Sequence, residues 1–452
     1  MEKKLSAPTV VNIEITDACN VKCRHCYNFW RFENSPSFSM TQEKMDKLIN
    51  MLVDAGVFHA VLSGGEPFVN FDVLEYGLKK LQENNISVSC NSNLMLATDD
   101  KIKKLKNVGL DHILTSLNSY DEETNDYIVH QKGAFKRIIK GIEVAVKNGI
   151  RVSVNMIVSQ KNKGHVYDTG KFVYELGCQK IFGTRVIPPV NLKNVNEIDI
   201  GREDTINILE QLLRVKKETG IMIGTLVSYP LCLLSNLERY IDFVGRGCPG
   251  QSGHIMNINA NGETHACVHE KDSHGNIFEI GIRKAYQNMI SWHDGSYMYK
   301  GCEGCDYIEI CKTGCRMSSH AYYGEYNQRD QLMVNKGNFV KPYKLVYDES
   351  IYKKIDNGMK FIVPNRLRFR KENDFYLVNI RWANTIATTN EVAEFLIKYR
   401  GSGRDFSISD FGLDKRDVLA KLFFKDVVES NQFNYDDQRS KLGLSVDIVS
   451  LK

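Results

Sequence analysis

The sequence predicts an α/β protein that begins with parallel strand–helix units arranged as a barrel. Three observations lead there. Six apolar segments between residues 10 and 187 each read as a strand, with helical periodicity between them. Three cysteines, Cys19, Cys23 and Cys26, follow the first segment at once, in the loop position where parallel barrels build their sites. After residue 230 the composition changes, and seven of the twelve cysteines fall between Cys232 and Cys315.

Length and charge set the bounds. At 452 residues, about 150 per domain gives two to four domains. The hydrophobic share of 42% is ample for packed cores, and 59 basic against 55 acidic residues leave a net charge of +4. That balance points to neither nucleic acid nor membrane. The N-terminus carries no apolar signal segment, and no stretch reaches about 18 apolar residues. Twelve cysteines without an export signal argue for metal ligation or redox use in a reducing cytoplasm.

Taken in order, Val11–Thr16 alternates as the first strand, Met40–Lys44 opens a helix, and His59–Leu62 is the second strand. Phe71–Asn84 is helical, Ile86–Cys90 is a strand, and Asp99–Val108 is helical. Asp111–Leu117 is the fourth strand. Lys132–Phe135 leads into a helix that runs through Val146 and stops at Asn148-Gly149. Arg151–Val158 alternates as the fifth strand, Val166–Leu176 is helical, and Lys180–Ile187 is the sixth strand. Thr205–Lys217 is an amphipathic helix. Ile255–Ile258 and Glu263–Ala266 flank Asn261-Gly262, the strongest short hairpin signal. Tyr323–Gly337 is polar and reads as a linker or exposed arm. Beyond 341, Lys344–Tyr347, Lys360–Val363, Leu367–Phe369 and Phe375–Asn379 read as strands. Thr388-x-x-Glu391 has the form of a capping box before a helix, and Lys415–Lys425 is a last helix. The tail from Ser430 is polar.

The chemistry lies in the cysteines. Soft thiolates at this density select iron–sulfur clusters, zinc or copper(I). Cys19-x3-Cys23-x2-Cys26 is followed by the aromatic Tyr27, and Ser63-Gly64-Gly65-Glu66-Pro67 closes the second strand. Glycine lets backbone approach a neighbour closely. Together these motifs resemble the radical S-adenosylmethionine (radical SAM) family. The resemblance implies a partial (β/α)6 TIM-like barrel over 1–230, with a 4Fe–4S cluster held by Cys19, Cys23 and Cys26. The iron left free would chelate S-adenosylmethionine, whose one-electron cleavage gives a 5′-deoxyadenosyl radical. Cofactor contacts are expected from Gly64, Gly65 and Glu66, from Tyr27 against adenine, and from Ser116, Asn155 and Arg185 at the strand ends. A helix cap for Ser116 and surface pairing for Arg185 are the plainer readings. No acid or base catalyst is singled out.

A second resemblance covers 231–335. Cys248-x13-Gly262-x4-Cys267, then Cys302-x2-Cys305-x5-Cys311-x3-Cys315, is similar to the SPASM domain of radical SAM enzymes, which holds up to two auxiliary 4Fe–4S clusters. The resemblance assigns Cys248, Cys267 and Cys315 to the first and Cys302, Cys305 and Cys311 to the second. The family's seventh cysteine is missing. The second cluster's fourth ligand could be His320, Asp306 or nothing, and Cys232 could complete the first cluster or be a packing residue. A zinc ribbon is the other reading of this block. Cys90 and Cys178 stand alone as core residues.

Residues 341–452 read as a small α+β, winged-helix-like module, weakly similar to the leader-binding elements of peptide-modifying systems. The whole implies a cytoplasmic enzyme that modifies a ribosomally made precursor peptide by thioether or carbon–carbon bond formation or a related oxidation, with an electron donor such as flavodoxin or ferredoxin. Maturation of a protein residue (the sulfatase-maturing type), action on a small molecule, and a non-catalytic electron carrier are the other readings.

Overall fold

A computed structural model describes residues 4–28, 37–189, 198–244, 247–334 and 349–432. The described residues up to 236 and from 243 to 340 form one compact unit, and those at 237–242 and beyond 341 form a second.

The first unit is organised on a parallel sheet. Its strands are β1 (Val10–Glu14), β2 (His59–Ser63), β3 (Ser87–Asn91), β4 (His112–Ser116), β5 (Arg151–Val158) and β6 (Lys180–Arg185), each parallel to the next. They coincide with the six apolar segments. Strands covered on both faces read as near-continuous apolar runs, and Val11, Ile13, Ala60, Leu62, Val152 and Val154 are fully buried. The helices between them are α1 (Gln42–Asp54), α2 (Phe71–Glu83), α3 (Asp99–Asn107), α4 (Glu122–Val129), α5 (Ala134–Lys147), α6 (Val166–Glu175) and α7 (Arg202–Thr219). Side chains at N-cap positions fix several starts: Thr41, Thr98 and Asp121 accept from Lys44, Lys101 and Thr124 backbone N–H groups.

Two features extend beyond the expected barrel. A seventh parallel strand, β7 (Met222–Gly224), adds to β6. The anticipated hairpin is present as β8 (Ile255–Ile258) and β9 (Thr264–His265), with Gly262 at φ +98° in its turn. β8 also pairs in parallel with β1, from Val10 opposite Ile255 to Ile13 opposite Ile258. Asn12 donates to Asn257 at 2.8 Å across that seam. Among the described residues the sheet therefore runs β7-β6-β5-β4-β3-β2-β1-β8-β9.

The polar stretch after Tyr323 is not an exposed arm. Asp330 and Leu332 are buried, Gln331 donates to Asp199 at 2.9 Å, and the Tyr326 and Gln328 carbonyls accept from Arg316 at 2.9 and 2.8 Å. The polarity of the segment serves internal partners. No described helix is long and apolar enough to cross a membrane.

The second unit has a three-stranded antiparallel sheet, β10 (Arg368–Lys371), β11 (Tyr376–Arg381) and β12 (Asn384–Thr388), with helices Glu349–Asp356, Asn390–Tyr399 and Arg416–Phe424. Phe361, Val378, Leu396, Phe406 and Phe423 form its core. Residues 360–363 contribute only bridges from Phe361 to Phe406 and Ile362 to Glu429, not a strand. The helix cap is Thr389, which accepts from Val392, one residue later than expected, because Thr388 still pairs in β12. Ser407 and Asp410 form a capping box. The strand expected at 344–347 and the tail from 433 lie outside the described residues.

Candidate radical SAM site and auxiliary thiols

The parallel strands deliver all their following loops to one edge of the sheet, and three of these loops are tied into one piece. The Gly65 N–H donates to Thr16 O at 2.6 Å and the Glu66 N–H to Ala18 O at 2.8 Å. A Cβ on Gly64, at φ +153°, would sit 2.3 Å from Thr16 O, and one on Gly65 would sit 2.2 Å from Ala18 O. The two glycines are thus required by the backbone that leads into the cysteine loop. The expected reason was approach to a ligand; the observed neighbour is the strand end itself.

Glu66 completes the tie. It is 1% exposed; its Oε1 accepts from Ser92 Oγ at 2.7 Å and Phe68 N at 3.1 Å, and its Oε2 from Asn93 N at 2.8 Å. Burial raises its pKa to about 6, against the pull of those donors. Its carboxylate is taken up by the second and third loops, so Glu66 acts as a brace. Asn93 then donates to Asn20 Oδ1 at 2.8 Å, inside the cysteine loop. Arg24 anchors the far side of that loop: its Nε donates to Tyr127 O at 3.0 Å and its guanidinium lies 4.3 Å over the Tyr127 ring.

Cys19, Cys23 and Cys26 are all half-buried on this braced loop, and none is in a disulfide. The buried Asn20 Nδ2 has no partner. Three thiols on one loop with an unpaired amide donor beside them fit an anionic iron–sulfur cluster. Tyr27 is half-buried with its ring 5.2 Å from that of His269. Desolvation lowers His25 and His269 to about 4 each, so both are neutral at pH 7.

The remaining expected contacts divide. Ser116 stands half-buried at the end of β4. The Asn155 Oδ1 accepts from Thr184 Oγ1 at 2.7 Å. Arg185 is engaged elsewhere: its Nη2 donates to Asp330 at 2.5 Å and to Ser228 O at 3.1 Å, with both side chains of the ion pair at 0% exposure, while its buried Nε has no partner. Burial works against its charge, but the Asp330 carboxylate outweighs this and holds its pKa above the ordinary value. Neither a cofactor contact nor surface pairing describes Arg185. Ser92, Asn20 and Asp330, which do much of the bracing, carry no motif in the sequence; Asn91 and Asn93 read there as strand-end turn residues or ribose contacts.

The auxiliary cysteines separate into two groups. Cys267 lies within Coulombic reach of Cys248 and Cys315, and Cys315 of Cys248. Burial pushes the Cys315 thiol up to about 11. Cys302 and Cys305 share a turn, Cys305 N to Cys302 O at 3.1 Å, and Cys311 ends the short helix Ile308–Cys311 that follows. Lys312, Thr313 and Gly314 are then successively left-handed, at φ +51°, +59° and +79°. Non-glycine residues rarely adopt that conformation, and here it ends the short helix, with the Lys312 N–H on Ile308 O at 2.9 Å and the Gly314 N–H on Cys311 O at 3.2 Å. Among the described residues no three His, Cys, Asp or Glu side chains converge on a single ion. Cluster ligands need not converge, because each thiolate binds its own iron at a corner. Cys90 and Cys178 are buried in the core.

Residues 13–173 match the family model "Radical SAM superfamily". The AdoMet-dependent heme synthase of Methanosarcina barkeri is 25% identical over 347 residues, 73% of this chain and 97% of that protein. The subtilosin biosynthesis protein AlbA of Bacillus subtilis is 33% identical over 178 residues, 38% of each chain. Among solved structures, Streptococcus suis SuiB bound to S-adenosylmethionine aligns with TM-score 0.57 at 18% identity, covering 72% of this chain and 77% of that one. SuiB bound to its precursor peptide SuiA aligns with TM-score 0.58 at 17% identity, covering 72% and 75%. At these identities the structures speak for the fold. The cysteine loop and the double glycine both fall within residues 13–173, the span that is similar to the radical SAM superfamily, whose members work with a 4Fe–4S cluster and S-adenosylmethionine.

Proposed function

We propose that the protein modifies a ribosomally made precursor peptide, with Cys19, Cys23 and Cys26 holding the cluster at which S-adenosylmethionine binds. When bound, cluster and S-adenosylmethionine together supply a 5′-deoxyadenosyl radical that takes a hydrogen from the substrate. The chain's own residues place and shield that chemistry. The Gly64-Gly65 backbone, Ser116 and Tyr27 line the strand ends where the cofactor would lie, and Glu66 and Asn93 hold that backbone still. Cys248, Cys267 and Cys315 would hold one auxiliary cluster, and Cys302, Cys305 and Cys311 a second, within a SPASM-like block at 231–335. A cytoplasmic one-electron donor such as flavodoxin or ferredoxin would feed them.

The carrying observation is the separation of the auxiliary thiols into two local groups beside the radical SAM sheet. The second unit adds support: it has a small sheet whose edge strand β10 is partly exposed, the kind of edge to which an extended leader peptide adds as a strand. SuiB, of the same fold, was crystallised with a precursor peptide. The similarity to the AdoMet-dependent heme synthase, along nearly its whole length, favours a second reading, action on a small molecule.

The test is 5′-deoxyadenosine formation by anaerobically reconstituted full chain with S-adenosylmethionine and reductant, beside Cys23→Ala. Formation by the wild type alone, stimulated by a precursor peptide that crosslinks to residues 349–432, is expected. Stimulation by a small-molecule substrate and by no peptide would replace the first reading with the second.

A further inference from the structure

The sequence leaves Cys302, Cys305 and Cys311 one ligand short, since no cysteine follows Cys315. The structure brings an earlier one to them. Cys232 sits in the 3-10 turn Leu231–Leu233. The Leu231 N–H donates to Cys311 Sγ at 3.4 Å, and the Cys311 thiol reaches Tyr229 O at 4.0 Å. The turn that carries Cys232 is therefore docked on Cys311 itself. In the run Leu231-Cys232-Leu233-Leu234 the leucines are 4%, 8% and 0% exposed, and the cysteine alone is only half-buried. A packing cysteine would show the opposite pattern. The thiols also feel one another: Cys311 lies within Coulombic reach of Cys232 and Cys302, and Cys232 of Cys305. Backbone N–H groups already point at two of these sulfurs, from Val334 to Cys232 and from Leu231 to Cys311. Such donors stabilise cluster thiolates.

We propose that Cys232 is the fourth ligand of the second auxiliary cluster, closing the set Cys232, Cys302, Cys305 and Cys311. This rests on the reading of 231–335 as a holder of iron–sulfur clusters. The second cluster is then ligated by protein at every iron. An open iron, if the enzyme uses one beyond the first cluster, belongs to the set of Cys248, Cys267 and Cys315. A ligand from upstream thus replaces the downstream cysteine of the family pattern, and neither His320 nor Asp306 is needed.

The experiment compares anaerobically reconstituted full chains by iron and sulfide content, Mössbauer spectroscopy, and electron paramagnetic resonance after mild oxidation. The variants are Cys232→Ala, Cys305→Ala and Cys248→Ala. Cys232→Ala and Cys305→Ala are expected to give one shared signature, a three-iron signal from a cluster that has lost its unprotected iron, distinct from that of Cys248→Ala. A Cys232→Ala spectrum identical to wild type, with Cys305→Ala altered, overturns the assignment of Cys232 and leaves the cluster reading standing. A Cys232→Ala spectrum that matches Cys248→Ala overturns it in favour of the first cluster. No change in any of the three overturns the cluster reading as well. Should Cys232→Ala fail to fold, alkylation of the wild type answers separately. Cys232 should become reactive with Cys302, Cys305 and Cys311 when a chelator strips iron, and reactivity of Cys232 alone before chelation overturns the proposal.

Discussion

Changing Asp330 to Asn removes the charge and keeps the shape of the group that faces Arg185. Arg185 and Asp330 are both at 0% exposure and meet through two contacts, 2.5 and 3.2 Å. Asp330 also accepts from Cys315 N at 2.8 Å and Leu332 N at 3.0 Å, so it spans the end of β6 and the auxiliary cysteines. Breaking a buried pair strands an uncompensated charge, at about 3–5 kcal/mol, far more than a surface pair is worth. Large folding units lose ~2 °C per kcal/mol, so Asp330→Asn should lower the apparent melting midpoint by about 6–10 °C. Removing both charges, in Arg185→Met with Asp330→Asn, should restore at least half of that, because the desolvation cost of the pair goes with it. Anaerobic melts of reconstituted protein, at one scan rate and equal iron content, provide the comparison; apparent midpoints are the right quantity because cluster proteins unfold irreversibly. An Asp330→Asn midpoint within about 1 °C of wild type would show that the pair carries no net weight. A double variant worse than the two single losses added would refute the pairing argument.

Other substitutions probe separate parts of the molecule. Gly65→Ala places a Cβ 2.2 Å from Ala18 O and 2.4 Å from Asp17 O, so the cysteine loop must move; S-adenosylmethionine affinity measured by equilibrium dialysis should fall at least about tenfold. His274 is lowered by burial, but Glu270, whose Oε1 lies 3.0 Å from its Nε2, together with the Asn288 carbonyl and Asp272 outweighs this and holds its pKa above the ordinary value. Its stabilising contribution is therefore complete below the ordinary histidine value of ~6.5 and is lost as pH rises through the raised one. Melting midpoints of wild type and His274→Gln should converge on that alkaline side, and a constant gap from pH 6 to 9 would exclude the linkage. Phe406, at 0% exposure, has ring neighbours Phe361, Phe395, Tyr399 and Phe411. Phe406→Ala should cost about 3–5 kcal/mol, seen as a rise in proteolysis inside 349–432 on the order of 100- to 1,000-fold or more.

The six central strands were legible because each sends apolar residues into the core and is bounded by turn residues, which leaves an alternation as in Arg151–Val158 or a short run as in His59–Leu62. β7 has three residues and no room for a period to register. β12 follows a turn at Trp382, φ +45°, with none of the glycine or asparagine–glycine signals that mark hairpins, so its last residue, Thr388, reads as the start of the next helix. In the site, cysteines and glycines showed through because their chemistry is confined to few residue types. Glu66 and Arg185 carried the right charge for a ligand, yet their partners are set by folding: Asp330 lies 145 residues from Arg185. The place of Cys232 was beyond reach for the same reason, being defined by a docked turn and not by spacing.

The pairing of β1 with β8 has a consequence for synthesis. The strand that leads into Cys19 has one edge on β2, while its other edge waits for Ile255. Translation at about 5–20 residues per second separates the two by on the order of ten to fifty seconds. During that interval the cysteine-bearing strand presents an open edge, the feature most prone to join another chain. A chain stopped at residue 230 would keep that edge permanently. That exposure ends once the ribosome has passed the hairpin, when both edges of the strand that leads into Cys19 are paired.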